Sequence, residues 1–155
     1  MFLVKNFIRS VTAFVMLFSL SAFAADDAVN TGRFNDTAID GYDTVAYFTQ
    51  NKPVEGNKSH QIKWRDANWY FSSEENKALF LATPEKYAPQ YGGWCAYAMS
   101  EGDTARIDPD AFIIYNNKLY LNYNKNVQDV WLEEKLSNIK KADHFYPIET
   151  NVKTF

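Results

Sequence analysis

Sulfur and imidazole are scarce in this 155-residue chain, so the few groups that carry them frame its possible chemistry. The one cysteine, Cys95, stands in the run YGGWCAYAM, Tyr91 to Met99. A single thiol cannot close a disulfide within its own chain. Met99 lies four residues further on, and a helix here sets both sulfurs on one side. The two histidines, His60 and His144, complete the ligand types of a copper electron-transfer centre. Cys95, Met99, His60 and His144 are therefore the candidate metal set, with copper or another soft metal as the cofactor.

Other readings of the same thiol follow from its neighbours. Gly92 and Gly93 allow a backbone to approach a ligand closely. If WCAYAM opens a helix, Cys95 sits in its first turn, where unpaired amides favour a thiolate. Cys95 is then a redox nucleophile, with Gly92, Gly93, Trp94 and Tyr97 forming the surround of a bound group. Without a second cysteine, oxidation stops at a sulfenic acid or at a mixed disulfide with a small thiol or a protein thiol. A thiol peroxidase or reductase is the enzyme form of this reading. Cys95 could equally be a small buried hydrophobe, since free cysteine is among the most buried residue types and Trp94 and Tyr97 flank it. An exposed Cys95 could instead link two chains. Asp40, Asp43, Asp108 and Asp110 are read as turn and cap residues rather than a cation site, given the adjoining Gly41, Thr44 and Pro109. The chain contains no phosphate-binding glycine loop and no His-Glu-x-x-His motif.

These residues need elements to hold them. Val45 to Phe48 reads as a short strand. His60, Ile62 and Trp64 alternate with polar residues, and RDAN turns the chain into Trp69–Phe71, giving a first hairpin. Ser72 and Glu75 fit a capping box before a helix that Pro84 ends. Phe112–Tyr115, Asn116-Asn117 and Lys118–Asn122 read as a second hairpin, because asparagine tolerates the left-handed backbone of a tight turn. Asn124 caps a last helix whose apolar face runs from Val127 to Ala142, and Pro147 closes the ordered part. The expectation is a small α+β domain with two short β-hairpins and about three helices.

Composition narrows the partners. The net charge is −3, with no basic cluster longer than Lys140-Lys141, so a nucleic-acid partner is not expected. At the start, Lys5 and Arg9 precede an uncharged run, Val11 to Ala24, that ends in Ala22-Phe23-Ala24. This is the form of a secretory signal peptide, and the run is shorter than the roughly 20 residues of a membrane span. The expected organisation is a signal peptide over 1–24, a flexible leader over 25–40, a domain over 41–147 and a tail over 148–155. The product is then exported, periplasmic or secreted, with no stable membrane anchor. With four tryptophans and ten tyrosines, a core can hold by packing alone.

Several of these segments together resemble the YHS domain. They are GYDTVAYF (41–48), WYFSSEENKALFLATPEKYAP (69–89), YGGWCAYAM, DPDAF (108–112) and KLYLNYNKNVQDVW (118–131). The resemblance covers about Gly41 to Pro147 and is to the exported single-domain group, some of whose members carry selenocysteine where Cys95 stands. It implies a heavy-metal-binding or redox module. In metal-binding members the cysteines fall at positions that here are Ala46, Ser72 and Asn76, none of which supplies a thiolate. The sequence therefore points to a soft-metal or thiol-redox binding module centred on Cys95. The alternatives are a Cys95 peroxidase or reductase, and a structural or partner-binding domain with a buried cysteine.

Overall fold

A computed structural model describes residues 25–32 and 34–152; the signal-peptide reading of residues 1–24 lies outside them. Among the described residues the architecture is α+β, built from two antiparallel hairpins in separate two-stranded sheets and six α-helices.

The first hairpin pairs β1 (Asn57–Trp64) with β2 (Ala67–Phe71) in the register Ile62↔Trp69 and Trp64↔Ala67. Arg65 and Asp66 form its two-residue turn at φ 50° and 60°, the primed geometry that matches strand twist. The second pairs β3 (Asp108–Tyr115) with β4 (Lys118–Asn122), closed by Asn116 and Asn117 at φ 48° and 59° as the sequence leads one to expect. Along β4, Leu119 and Leu121 enter a main core with Val45, Trp69, Phe71, Phe80 and Cys95. Tyr120, on the opposite face, joins a second core with Tyr91, Met99, Trp131 and Ala142. Strand β4 is thus buried on both faces, and it separates the two cores.

The helices depart from the sequence reading in instructive places. Residues 44–50, expected as a strand, form helix α1 (Thr44–Gln50). Asp43 is its N-cap and accepts from the amides of Val45 and Ala46, so a cap outweighs the strand propensity of valine and tyrosine. Helix α2 (Glu74–Ala82) is capped by Ser73, whose oxygen accepts from the Asn76 amide, rather than by Ser72. After α3 (Pro84–Tyr87), α4 (Ala96–Ser100) begins with Cys95 at its N-cap position. The single last helix is two, α5 (Lys125–Glu133) and α6 (Lys135–Glu149), broken at Glu134. Asn124 caps α5 as expected. Asn138 donates to the Trp131 carbonyl at 3.0 Å, satisfying a helix-end acceptor at the break. Pro147 lies inside α6 and does not end it; Thr150 caps the helix by donating to Tyr146 O.

The described part of residues 25–40 is packed onto the domain and is not a flexible leader. Val29, Asn30, Ala38 and Ile39 are buried. The arm crosses the Gly92-Gly93 segment, where the Asn30 amide donates to Gly92 O at 2.9 Å and the Asn30 side chain donates to Gly93 O at 3.0 Å. It also pairs with the chain's other end: Asp26 N–H donates to Glu149 O, and Asn151 N–H donates to Asp26 O. The expected tail is therefore fixed at its start, with Thr150 buried. Among the described residues, no helix is long and apolar enough to cross a membrane.

Candidate functional site

Three places hold the groups singled out in the sequence: the surroundings of Cys95, a polar hub at Asp43, and a cleft beside Tyr91.

Cys95 has 1 % of its surface exposed. Its backbone amide donates to Ala105 O, and its carbonyl accepts from Met99 N–H, the first turn of α4. The Tyr123 amide donates to Sγ at 3.3 Å, and the thiol points to Asn122 Oδ1 at 3.9 Å. Asn122 Oδ1 also accepts from Tyr97 N–H at 3.2 Å, so one buried amide serves both the helix start and the thiol. Position at a helix start is as expected, but the main core encloses the sulfur and leaves no place for a bound group.

The flanking positions read as a ligand surround are covered by the chain itself. Gly92 and Gly93 take φ of 61° and 85°. A Cβ on Gly92 would stand 1.8 Å from the Ala28 carbonyl oxygen, and one on Gly93 would stand 2.3 Å from the Ile39 side chain. The glycines thus make room for the arm, not for a group above the sulfur. Trp94 donates from Nε1 to Asp27 O at 2.8 Å and pins the same arm. Tyr97 packs between the two cores.

The candidate metal set is not assembled. Met99 belongs to the second core and Cys95 to the main one. His60 lies on β1, with Nδ1 3.2 Å from Glu74 Oε2 on α2. His144 is exposed on α6 with its ring against Phe145. Among the described residues no three His, Cys, Asp or Glu side chains gather as metal ligands. The four residues therefore do not fit a copper centre.

Ala46, Ser72 and Asn76 do converge, on a carboxylate. Asp43 is fully buried. Its Oδ1 accepts from Val45 N–H at 2.9 Å and Ala46 N–H at 3.3 Å. Its Oδ2 accepts from Ser72 N–H at 2.8 Å, Ser72 Oγ at 2.6 Å and Asn76 Nδ2 at 2.7 Å. The five donors are all neutral and come from α1, the end of β2 and α2. The three bonds to Oδ2 are the short ones, as charge-assisted bonds are. The oxygens and amide present here do not make a soft-metal site, which needs thiolate or thioether sulfur. Reading Asp43 as a cap was correct. What spacing did not reveal is that residues 29 and 33 positions away complete its shell.

The cleft was not visible in the sequence. It holds about 260 Å³ and is lined by Trp64 and Arg65 of the first hairpin, by Gln90, Tyr91 and Gly92, and by Asp143 and Tyr146 of α6. Tyr91 sits at φ 56°, sparsely populated for a residue with a side chain. Its hydroxyl donates to Asp143 Oδ1 at 3.1 Å, and burial together with the Asp143 charge raises its pKa well above the usual phenol range. Tyr146 is raised by burial and donates to Ala28 O at 2.6 Å.

Comparison with protein-family models, with curated proteins and with solved structures finds no match to this chain.

Proposed function

We propose that the chain is an exported, YHS-like binding domain in which the single thiol is structural. The observation that carries this reading is the enclosure of Cys95: 1 % exposed, within the main core, and held by the Tyr123 amide and Asn122. A nucleophile or soft-metal ligand has to meet its partner, and this sulfur meets only its own chain. What supports the YHS-like part is the convergence of residues 46, 72 and 76 on one carboxylate, since residues far apart in sequence come together where the resemblance aligns the cysteines.

One observation favours the redox or soft-metal reading. The Tyr123 N–H directed at Sγ is the kind of donor that stabilises a thiolate.

Alkylation separates the two. With the full chain under native conditions, iodoacetamide should modify Cys95 at least about 100-fold more slowly than an unstructured cysteine peptide at pH 7.5, and at the peptide's rate once unfolded. Native alkylation faster than the peptide's would sink the structural reading and reinstate the redox thiol.

A further inference from the structure

Strand β2 uses only one of its faces for the core. Ala67, Trp69 and Phe71 are buried, while Asn68 and Tyr70 alternate with them on the other face and are half-buried. The arm lies along this strand. Ala38 N–H donates to Asn68 O at 2.9 Å, Asn68 N–H donates to Asp36 O at 2.6 Å, and Thr37 pairs with Asn68 in a parallel bridge. Thr37 is thereby set beside Tyr70, and its hydroxyl donates to the phenol oxygen at 3.3 Å. Gly41 packs on the same ring, since a Cβ there would stand 3.3 Å from it. A cleft of about 350 Å³ opens here, and its lining side chains are Asn35, Thr37, Asp40, Lys58, Asn68 and Tyr70.

Several polar groups of this lining have no partner among the described residues. The Asn68 side-chain amide has none, although its backbone N–H and C=O are both taken by the arm. Asn35 Oδ1 accepts from Thr37 N–H at 2.9 Å, which leaves its Nδ2 over. Thr37 is the donor to Tyr70, so the phenol proton has no acceptor. Asp40 is met by Arg106 at 3.9 Å, the outer limit of an ion pair. These groups select a ligand class. One acid and one base leave the lining without net charge, whereas a phosphate or nucleic-acid ligand calls for several cations. An apolar ligand calls for more than the single ring of Tyr70. Amides, a carboxylate and a phenol both give and accept hydrogen bonds, as the adjacent hydroxyls of a sugar require. We propose that this cleft binds a neutral saccharide, with the Asn35 and Asn68 amides and the Asp40 carboxylate on its hydroxyls and the Tyr70 phenol donating to one of its oxygens. This inference rests on the reading of the chain as a binding domain.

Isothermal titration of the full chain with glucose, galactose, mannose, N-acetylglucosamine, maltose and cellobiose tests it, with acetate and methylamine as charged probes. At least one saccharide should bind with a Kd of about 1 mM or tighter, while acetate and methylamine bind at least about tenfold more weakly. Asn68→Ala and Asp40→Asn should each weaken that binding about fivefold or more, with Lys118→Gln, on the other hairpin, unchanged. Asp40 sits at φ 55°, a backbone that asparagine tolerates, so Asp40→Asn carries the test if Asn68→Ala does not fold. No saccharide binding below about 10 mM overturns the proposal. So does acetate or methylamine binding as well as the saccharides, or both variants binding like the unaltered chain. None of these readouts involves Cys95, so failure here leaves the structural-thiol reading to stand or fall on alkylation.

Discussion

The Asp43 hub and the Cys95 enclosure are both buried polar places, yet they are built on different terms. At Asp43 a charged carboxylate is withdrawn from water and answered by five neutral donors from three elements. At Cys95 a weakly polar thiol sits in the core with one backbone amide and one distant acceptor. A buried charge is costly unless every lone pair is met, whereas a thiol packs as a small hydrophobe. The hub should therefore dominate stability, and the thiol should be felt mainly as shape. Asp43 ties α1, the end of β2 and α2 at one point.

The comparison breaks first at Asp43. Asp43→Ala removes the α1 cap and leaves the Ser72 and Asn76 donors buried without a partner, which should cost about 3–5 kcal/mol. Urea denaturation would measure it. A loss below about 1 kcal/mol would show that water or a neighbour replaces the carboxylate easily, and that the hub is not the stronger of the two places.

Gly92→Ala tests the Cys95 side through its covering arm. The added Cβ meets backbone oxygen, not a flexible side-chain end, at a positive φ. A loss of about 2–3 kcal/mol is expected, together with release of the arm, read as faster proteolysis near residue 30 and a change in Trp94 fluorescence. Arm release without change in Cys95 alkylation would show that the arm shields the glycines and the core alone shields the sulfur.

Cys95→Ser should be milder, about 1–2 kcal/mol, because serine keeps an acceptor for the Tyr123 amide but its shorter C–O bond leaves Asn122 further off. A variant as stable as the parent would remove the thiol from the list of packing contributors.

The smallest effect appears only in alkali. Tyr47, Tyr91 and Tyr146 all have raised pKa values, with burial as the first cause. Each donates its proton to a carbonyl or carboxylate, Tyr47 to Pro109 O and Tyr146 to Ala28 O. Folding thus favours the protonated phenol. The stabilisation is complete below the unfolded tyrosine value of about 10 and is lost as pH rises from there towards the folded values. The melting temperature should hold between pH 7 and 9 and fall above 10, with tyrosinate absorbance rising only on unfolding for these three rings. Smooth ionisation in the folded state would place them at the surface.

Much of the local structure was legible in the residues. The Asn116-Asn117 turn, the Asn124 cap, the helix start at Cys95 and the two hairpins follow from side chains acting on their own backbone within a few positions. Where local signals competed, tertiary partners decided. Val45 to Phe48 has strand propensity, but Asp43 caps a helix there with one oxygen while Ser72 and Asn76 hold the other. The polar arm looked mobile because its burial depends on Gly92 and Gly93, some sixty residues away, offering backbone at contact distance.

By itself the sequence determined the α+β class and the one thiol at a helix start. These are matters of residue identity and short-range hydrogen bonding, and they need no distant partner. Only the tertiary structure decided that Cys95 is enclosed, that Met99 belongs to the other core, that His60 pairs with Glu74 while His144 is exposed, and that Arg65, Tyr91 and Asp143 line one cleft. Exposure and convergence depend on how β4 and α6 pack. Packing is set by the summed burial of side chains across the whole core, which no spacing along the chain encodes.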